Sequence, residues 1–162
     1  MARTLVLLRH AKSAWPDGVA DHDRPLAGRG RRDAPAVGRW LAAHGVSPDL
    51  AVVSSARRTI ETFTLVAAEL SVLPREIVTD DAYAVGAGDL LDLVRGLPDD
   101  ARSVLLVGHN PGIGLLASLL DRTRRSEEDF PTSAVAVVEF DGTWADVNPG
   151  SGRLVAYGVP RG

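Results

Sequence analysis

Short apolar runs alternate along the chain with longer stretches of helical spacing. Thr4 to Leu8 (TLVLL) is continuously apolar over a strand's length, the pattern of a strand covered on both faces. A polar loop follows, from about Ala11 to Arg24. Ala34, Val37, Leu41 and Ala42 then recur at helical spacing, ended by Gly45 and followed by Pro48. Leu50 to Val53 reads as a second buried strand and Thr59 to Leu70 as a second helix. Ile77 and Val78 mark a short strand before a turn-rich segment around Gly86 and Gly88. Asp89 is placed to cap a helix through Leu97, which Pro98 and two aspartates end. Ser103 to Val107 (SVLLV) is the third clear buried strand. Asn110 and Pro111 make a helix start, an N-cap side chain followed by proline at the first helical position, and that helix runs to about Leu120. Asp121 to Asp129 is charged and reads as a loop that could serve as a lid. Ala134 to Phe140, then Asp141-Gly142, then Arg153 to Val159 read as two strands joined by a turn or short excursion.

This order predicts a three-layer α/β/α fold whose central sheet is mostly parallel with an antiparallel edge. The 162 residues suit a single domain spanning 1–162. A chain of this length buries roughly 70% of its unfolded surface, so its core needs no disulfide or metal staple. No apolar stretch approaches a membrane span, and TLVLL is too short for a signal h-region, so a cytoplasmic protein with no membrane partner is expected. A monomer is the expected state.

Composition narrows the chemistry. Lys plus Arg is 18 and Asp plus Glu is 21, a net charge of −3 that argues against a nucleic-acid partner. The absence of Cys removes thiol nucleophiles, Fe–S clusters and Cys-based zinc sites together. Oxygen groups and four imidazoles remain. Lys12 is the sole lysine; an arginine-rich chain can reflect base composition, but arginine is also the better bidentate clamp for phosphate.

Ligands of open parallel sheets bind beyond the carboxyl ends of the strands. Arg9 and His10 follow the first buried strand. Ser54 and Ser55, then Arg57 and Arg58, follow the second. Gly108, His109 and the Asn110-Pro111 helix start follow the third. Two histidines and three arginines therefore converge on one rim, a cationic pocket in an anionic protein. Arginines and a helix N-terminus make a phosphate site. A histidine there can attack phosphorus through a ring nitrogen, giving a phosphoenzyme that water hydrolyses. The arginines would stabilise the charge on the phosphoryl oxygens in the transition state.

Three motifs carry a family resemblance. LVLLRHAKSAW resembles the Arg-His signature of the histidine phosphatase superfamily (phosphoglycerate mutase-like). SSARRTIET resembles its Ser-x-x-x-Arg-x-x-x-Thr element, which places the matching arginine at Arg58 rather than Arg57. VGHNPGI resembles its second-histidine motif, and DHDRPLAGRG with the short length is most similar to SixA-type phosphohistidine phosphatases. The resemblance implies that His10 is the nucleophile, that Arg9 and Arg58 bind phosphate, and that His109 is the second imidazole, electrophilic or hydrogen-bonding. Asn110 joins Arg9, Arg58 and His109 as a candidate substrate-binding residue. The family requires no metal and no cofactor. The implied partner is a phosphorylated protein bearing phosphohistidine, or a small phosphate ester.

Outside the motifs, Arg57 reads as a solvated helix-start residue, as do Arg29, Arg31 and Arg32, whose alternative is to attract an acidic partner or phosphoprotein face; Arg24 lies beside the pocket in the family layout. Leu26 and Gly30 resemble the family's Leu-Thr-x-x-Gly element with Ala27 in place of the capping Thr. His44, before Gly45, suits a helix C-terminus. His22 sits in a polar loop near the pocket.

Two departures matter. Pro16 and Asp17 follow Trp15 where many relatives place an asparagine, so Asp17 is expected to face away from phosphate. Larger members supply a glutamate acid in a Glu-x-x-x-Gly-x-aromatic context, whereas TDDAYAVGAGD lacks that pattern and leaves Asp80, Asp81 and Asp89 as candidates. Asp21 or Asp23 could supply the acid from another loop. Expelling an alkoxide needs a proton. Expelling imidazole, whose conjugate acid has a pKa of about 6.5, does not make the same demand. A site without an acid therefore suits phosphohistidine. A small-molecule phosphomonoesterase and a non-catalytic phosphate-binding module are the alternatives.

Overall fold

The computed structural model describes residues 2–123 and 130–162. Its sheet has six strands in the order β3-β2-β4-β1-β5-β6. They are β1 (Arg3–Arg9), β2 (Leu50–Ser54), β3 (Arg75–Thr79), β4 (Ser103–Gly108), β5 (Val135–Phe140) and β6 (Arg153–Gly158). The first four are mutually parallel; β5 runs antiparallel to β1, and β6 antiparallel to β5. The expected mostly parallel sheet with an antiparallel edge is what forms.

The apolar runs are continuous because each strand feeds two cores. Leu5 and Leu7 of β1, Val104 and Leu106 of β4, and Ala136 and Val138 of β5 face helices α3 (Ala87–Arg95) and α4 (Gly112–Leu120). The alternate residues Val6, Leu8, Leu105, Val107 and Val137 face α1 (Gly28–Ala43) and α2 (Arg57–Ala67). Successive strand side chains point to opposite faces, so a two-sided core requires apolar residues at every position. Each fully buried Leu or Val contributes about 1.5–3 kcal/mol. The edge strand β3 is largely exposed, Ile77 and Val78 included.

The sheet order fixes where a site can lie. From β1 the chain crosses through α1 toward β2; from β4 it crosses through α4 toward β5, over the other face. β1 and β4 are neighbours, with Arg9 level with Gly108. Their carboxyl ends thus diverge into opposite layers and leave a crevice at a topological switch point. Arg9-His10 and His109 are the residues that emerge there.

Several boundaries differ from expectation. Asp89 does not cap α3: Gly86 is the N-cap and Asp89 lies within the first turn, where its charge suits the helix dipole. Helix α3 ends at Arg95, before Leu97. Helix α4 begins at Gly112 with Pro111 as N-cap, not at the first helical position, although Asn110 Oδ1 still accepts from Gly114 N at 3.2 Å. Between β5 and β6 the chain makes an excursion whose Trp144 indole is buried and donates to the Ala101 carbonyl at 2.8 Å. Most of the Asp121–Asp129 segment lies outside the described residues. Among the described residues, no helix is long and apolar enough to cross a membrane.

Helix α1 opens at Ala27 with no side-chain cap, and its first turn packs on the loop after β1. Ala27 N donates to the Lys12 carbonyl at 2.8 Å, and a Cβ on Gly30 would stand 2.1 Å from that same oxygen. Only glycine permits this approach, which holds Lys12 and Ser13 beside His10. Gly30→Ala should cost about 1–3 kcal/mol in chemical denaturation through this overpacking. Gly28→Ala, which has ordinary contact distance, should stay within about 0.5 kcal/mol of the parent.

Candidate active site

Arg9, His10, Arg58, His109 and Asn110 line one cleft of about 250 Å³, with Lys12, Ser13, Trp15, Arg24 and Thr132. A second compartment of about 450 Å³ shares Arg58, His109 and Asn110 and is closed by Asp21, Tyr83, Val85 and Pro111. A larger cavity, about 500 Å³, opens at the far end of the sheet beside Thr4 and Ser103 and contains none of these groups. Chemistry, not size, singles out the cleft.

His10 is 6% exposed, and its ring centroid lies 5.3 Å from that of His109. His10 Nδ1 lies 2.7 Å from the Ala11 carbonyl oxygen. A carbonyl can only accept, so Nδ1 carries the proton and Nε2 keeps its lone pair. Burial pushes His10 down to about 3, with the cationic neighbours Arg58 and Arg9 adding to the effect. His109 is pushed down to about 4, first by burial and then by Arg58. Both rings are therefore neutral at physiological pH. Ala11 itself is anchored by its N–H to Thr62 Oγ1 at 3.0 Å, which ties the segment after β1 to α2.

The arginines are held from outside the cleft. Arg58 donates to the Asp21 carbonyl at 2.7 Å and to Asp21 Oδ2 at 3.1 Å. Arg24, 6% exposed, reaches Asp21 Oδ1 at 2.9 Å and bonds Ser13 Oγ, with its guanidinium 3.3 Å from the centroid of the exposed Trp15 ring. Arg9 donates to the Phe130 carbonyl at 3.3 Å. Among the described residues, Arg9 Nε, Arg58 Nε and His109 Nδ1 nevertheless have no partner and are buried. Buried donors are normally satisfied, so donors left unpaired around one cationic cleft mark a place built for an anion. Asn110 is differently engaged: its Nδ2 donates to the Phe130 carbonyl at 2.7 Å while its Oδ1 serves α4.

The acid candidates separate clearly. Asp21 borders the cleft, but the Tyr83 hydroxyl at 2.6 Å, then Arg24 and Arg58, hold its carboxyl well below the usual carboxylate range. It is an acceptor without a proton to give. Asp80, Asp81 and Asp89 line a different groove with Asp92 and Leu93, and Asp80 accepts from Ser55 Oγ. Asp23 is exposed, 3.8 Å from His22. Asp17 is exposed and does not line the cleft, as expected. Arg57 is solvated and pairs with Glu61, and His44 Nδ1 meets the Trp40 carbonyl at the end of α1. Among the described residues no three or more His, Cys, Asp or Glu gather as a metal site.

Nothing in the sequence pattern points to Tyr83, to the bridging role of Asp21, or to the contact of His22 Nε2 with Ser55 Oγ at 2.9 Å. Ser54 was visible only as a strand-end residue; here its Oγ meets His109 Nε2 at 2.8 Å.

The sequence model of the histidine phosphatase superfamily (branch 1) matches residues 5–82. A structure from Nakamurella multipartitia, provisionally named phosphohistidine phosphatase SixA, superimposes with a TM-score of 0.85 at 32% identity, covering 99% of this chain and 97% of that one. The chain belongs to the histidine phosphatase superfamily. A second such structure, from Agrobacterium tumefaciens and with the same provisional name, gives a TM-score of 0.80 at 27% identity over 98% of both chains. An uncharacterized protein of Mycobacterium tuberculosis strain H37Rv is 38% identical over 162 residues, 95% of this chain and 100% of its own length. Within this superfamily fold, the present chain puts its two imidazoles at the adjoining ends of β1 and β4.

The depressed histidine values set a pH dependence. Well above about pH 6.5 neither the folded nor the unfolded chain protonates these rings appreciably. As pH falls toward 4, the unfolded chain takes up protons that native His10 and His109 refuse, so stability declines through that window. NMR titration should find both ring signals flat from about pH 7 to about pH 5, with a lower urea midpoint at the acid end. Titration of either ring near pH 6.5 would contradict this environment.

Proposed function

We propose that the protein is a phosphatase that works through a phosphohistidine intermediate on His10, and that its substrate is a phosphohistidine borne by a protein. One observation carries the reading. His10 is a neutral imidazole whose Nδ1 proton is tied to the Ala11 carbonyl, leaving Nε2 free inside a cleft of unpaired cationic donors.

The chemistry follows from that arrangement. His10 Nε2 attacks phosphorus as the bond from phosphorus to the leaving nitrogen breaks, and that nitrogen keeps the electron pair. Arg9 and Arg58 balance the charge on the phosphoryl oxygens, and His109 donates a hydrogen bond to one of them. Water then attacks the phosphoenzyme and the electron pair of the P–N bond returns to His10 Nε2. A phosphohistidine protonated on its other ring nitrogen departs as neutral imidazole and needs no acid. Among the described residues no protonated carboxyl stands at the cleft, since Asp21 is held ionised. That supports a good leaving group over an alkyl ester.

Phosphate release should therefore be fastest from a phosphohistidine protein, slower from p-nitrophenyl phosphate, and very slow from glycerol phosphate. His10→Ala should lose activity by about a thousandfold or more on all of them. Glycerol phosphate turning over as fast as phosphohistidine would establish a proton donor and favour a small-molecule phosphomonoesterase. Phosphate binding without turnover of any substrate would indicate a binding module instead.

A further inference from the structure

The two imidazoles of the cleft need opposite things from their proton. The nucleophile must present a lone pair, whereas its partner must present an N–H. For His10 the Ala11 carbonyl settles the matter. Among the described residues His109 has no carbonyl partner: its ring meets Ser54 Oγ through Nε2, and its buried Nδ1 has none. A hydroxyl can donate or accept, so the contact alone leaves two arrangements open.

The surroundings of Ser54 decide between them. Ser54 is fully buried at the carboxyl end of β2. Its Oγ receives the Ala56 N–H at 3.5 Å, which occupies a lone pair, and among the described residues His109 Nε2 is the one acceptor within reach of its proton. Were His109 Nε2–H to donate to Ser54, the serine proton would be buried unpaired and the Nδ1 lone pair would be orphaned too. With Ser54 donating, both members of the pair are satisfied and a single N–H is left over. That N–H sits on a ring that lines both compartments of the cleft, beside the unpaired Nε groups of Arg9 and Arg58.

We infer that Ser54 is a positioning residue: its hydroxyl donates to His109 Nε2 and thereby holds the imidazole proton on Nδ1, where it serves as a hydrogen-bond donor to a phosphoryl oxygen. The tautomer is a property of the resting protein; its use in catalysis rests on the phosphatase reading above. The serine comes from β2, the histidine from the loop after β4 and the nucleophile from β1, so three adjacent parallel strands each supply one part. A residue that binds substrate directly would have to enter the cleft. Ser54 does not line it and acts through His109.

The test is the protonation pattern of the His109 ring, read by two-bond ¹H–¹⁵N NMR of the full chain without substrate. The expected result is a protonated Nδ1 and a bare Nε2. In Ser54→Ala the preference should weaken, with the proton shared between the two nitrogens, and kcat on phosphohistidine should fall roughly ten- to hundredfold, as when an orienting partner is lost. Ser54→Thr, which keeps the hydroxyl, should restore the Nδ1–H signal. A wild-type ring protonated on Nε2 overturns the inference, as does a Ser54→Ala ring that keeps the proton wholly on Nδ1. The wild-type spectrum decides even if Ser54→Ala fails to fold. An inactive wild-type protein with Nδ1 protonated would sink the phosphatase reading and leave the tautomer assignment standing.

Discussion

Two imidazoles buried beside arginine side chains hold an extra proton only well below neutral pH, and most of the site follows from that electrostatic constraint. Removing His10 and His109 from water disfavours their charged forms, and Arg58 and Arg9 disfavour them further. Neutral rings must then be told which nitrogen keeps the proton. The Ala11 carbonyl does this for His10, leaving a lone pair at Nε2. Among the described residues Arg9 Nε and Arg58 Nε lack partners, a preorganised deficit that, in the proposed reading, a phosphoryl dianion fills.

Asp21 reconciles this deficit with a stable resting protein. Its carboxylate spans Arg24 and Arg58 and receives the Tyr83 hydroxyl, so the guanidinium groups are oriented before any phosphate arrives. The same bonds keep it ionised. A carboxylate beside the reacting centre is thus committed to holding arginines, and the described residues around the cleft leave proton donation to no carboxyl. Under the proposed phosphatase reading, such a site would clamp and attack phosphorus with no carboxyl to protonate an alkoxide, and leaving-group chemistry would then set its substrate class.

Much of this was legible in the chain because strand interiors and strand ends obey simple rules. TLVLL, LAVV and SVLLV announce two-sided burial, and whatever follows them lies on the ligand-binding rim, so Arg9, His10, Arg58 and His109 could be placed together. The network around them was not legible. Asp21 is one of three exposed aspartates in the loop from Ala11 to Arg24, and only the folded path of that loop brings it, and not Asp17 or Asp23, to Arg24, Arg58 and Tyr83. Tyr83 lies in a turn-rich stretch with no periodicity to read. Helix caps failed similarly: Asp89 has a capping side chain, but the chain enters α3 from Gly86, and the direction of entry is set by packing rather than by residue type.

The central claim is that phosphorus passes through His10. Rapid mixing of the protein with a phosphohistidine substrate, followed by denaturing quench and intact-protein mass spectrometry with fragmentation, tests it directly. The account predicts a transient species carrying one phosphoryl group, localised to His10 and absent from His10→Ala. Phosphate release by the wild-type protein without any phosphoryl group on His10 during turnover would contradict it.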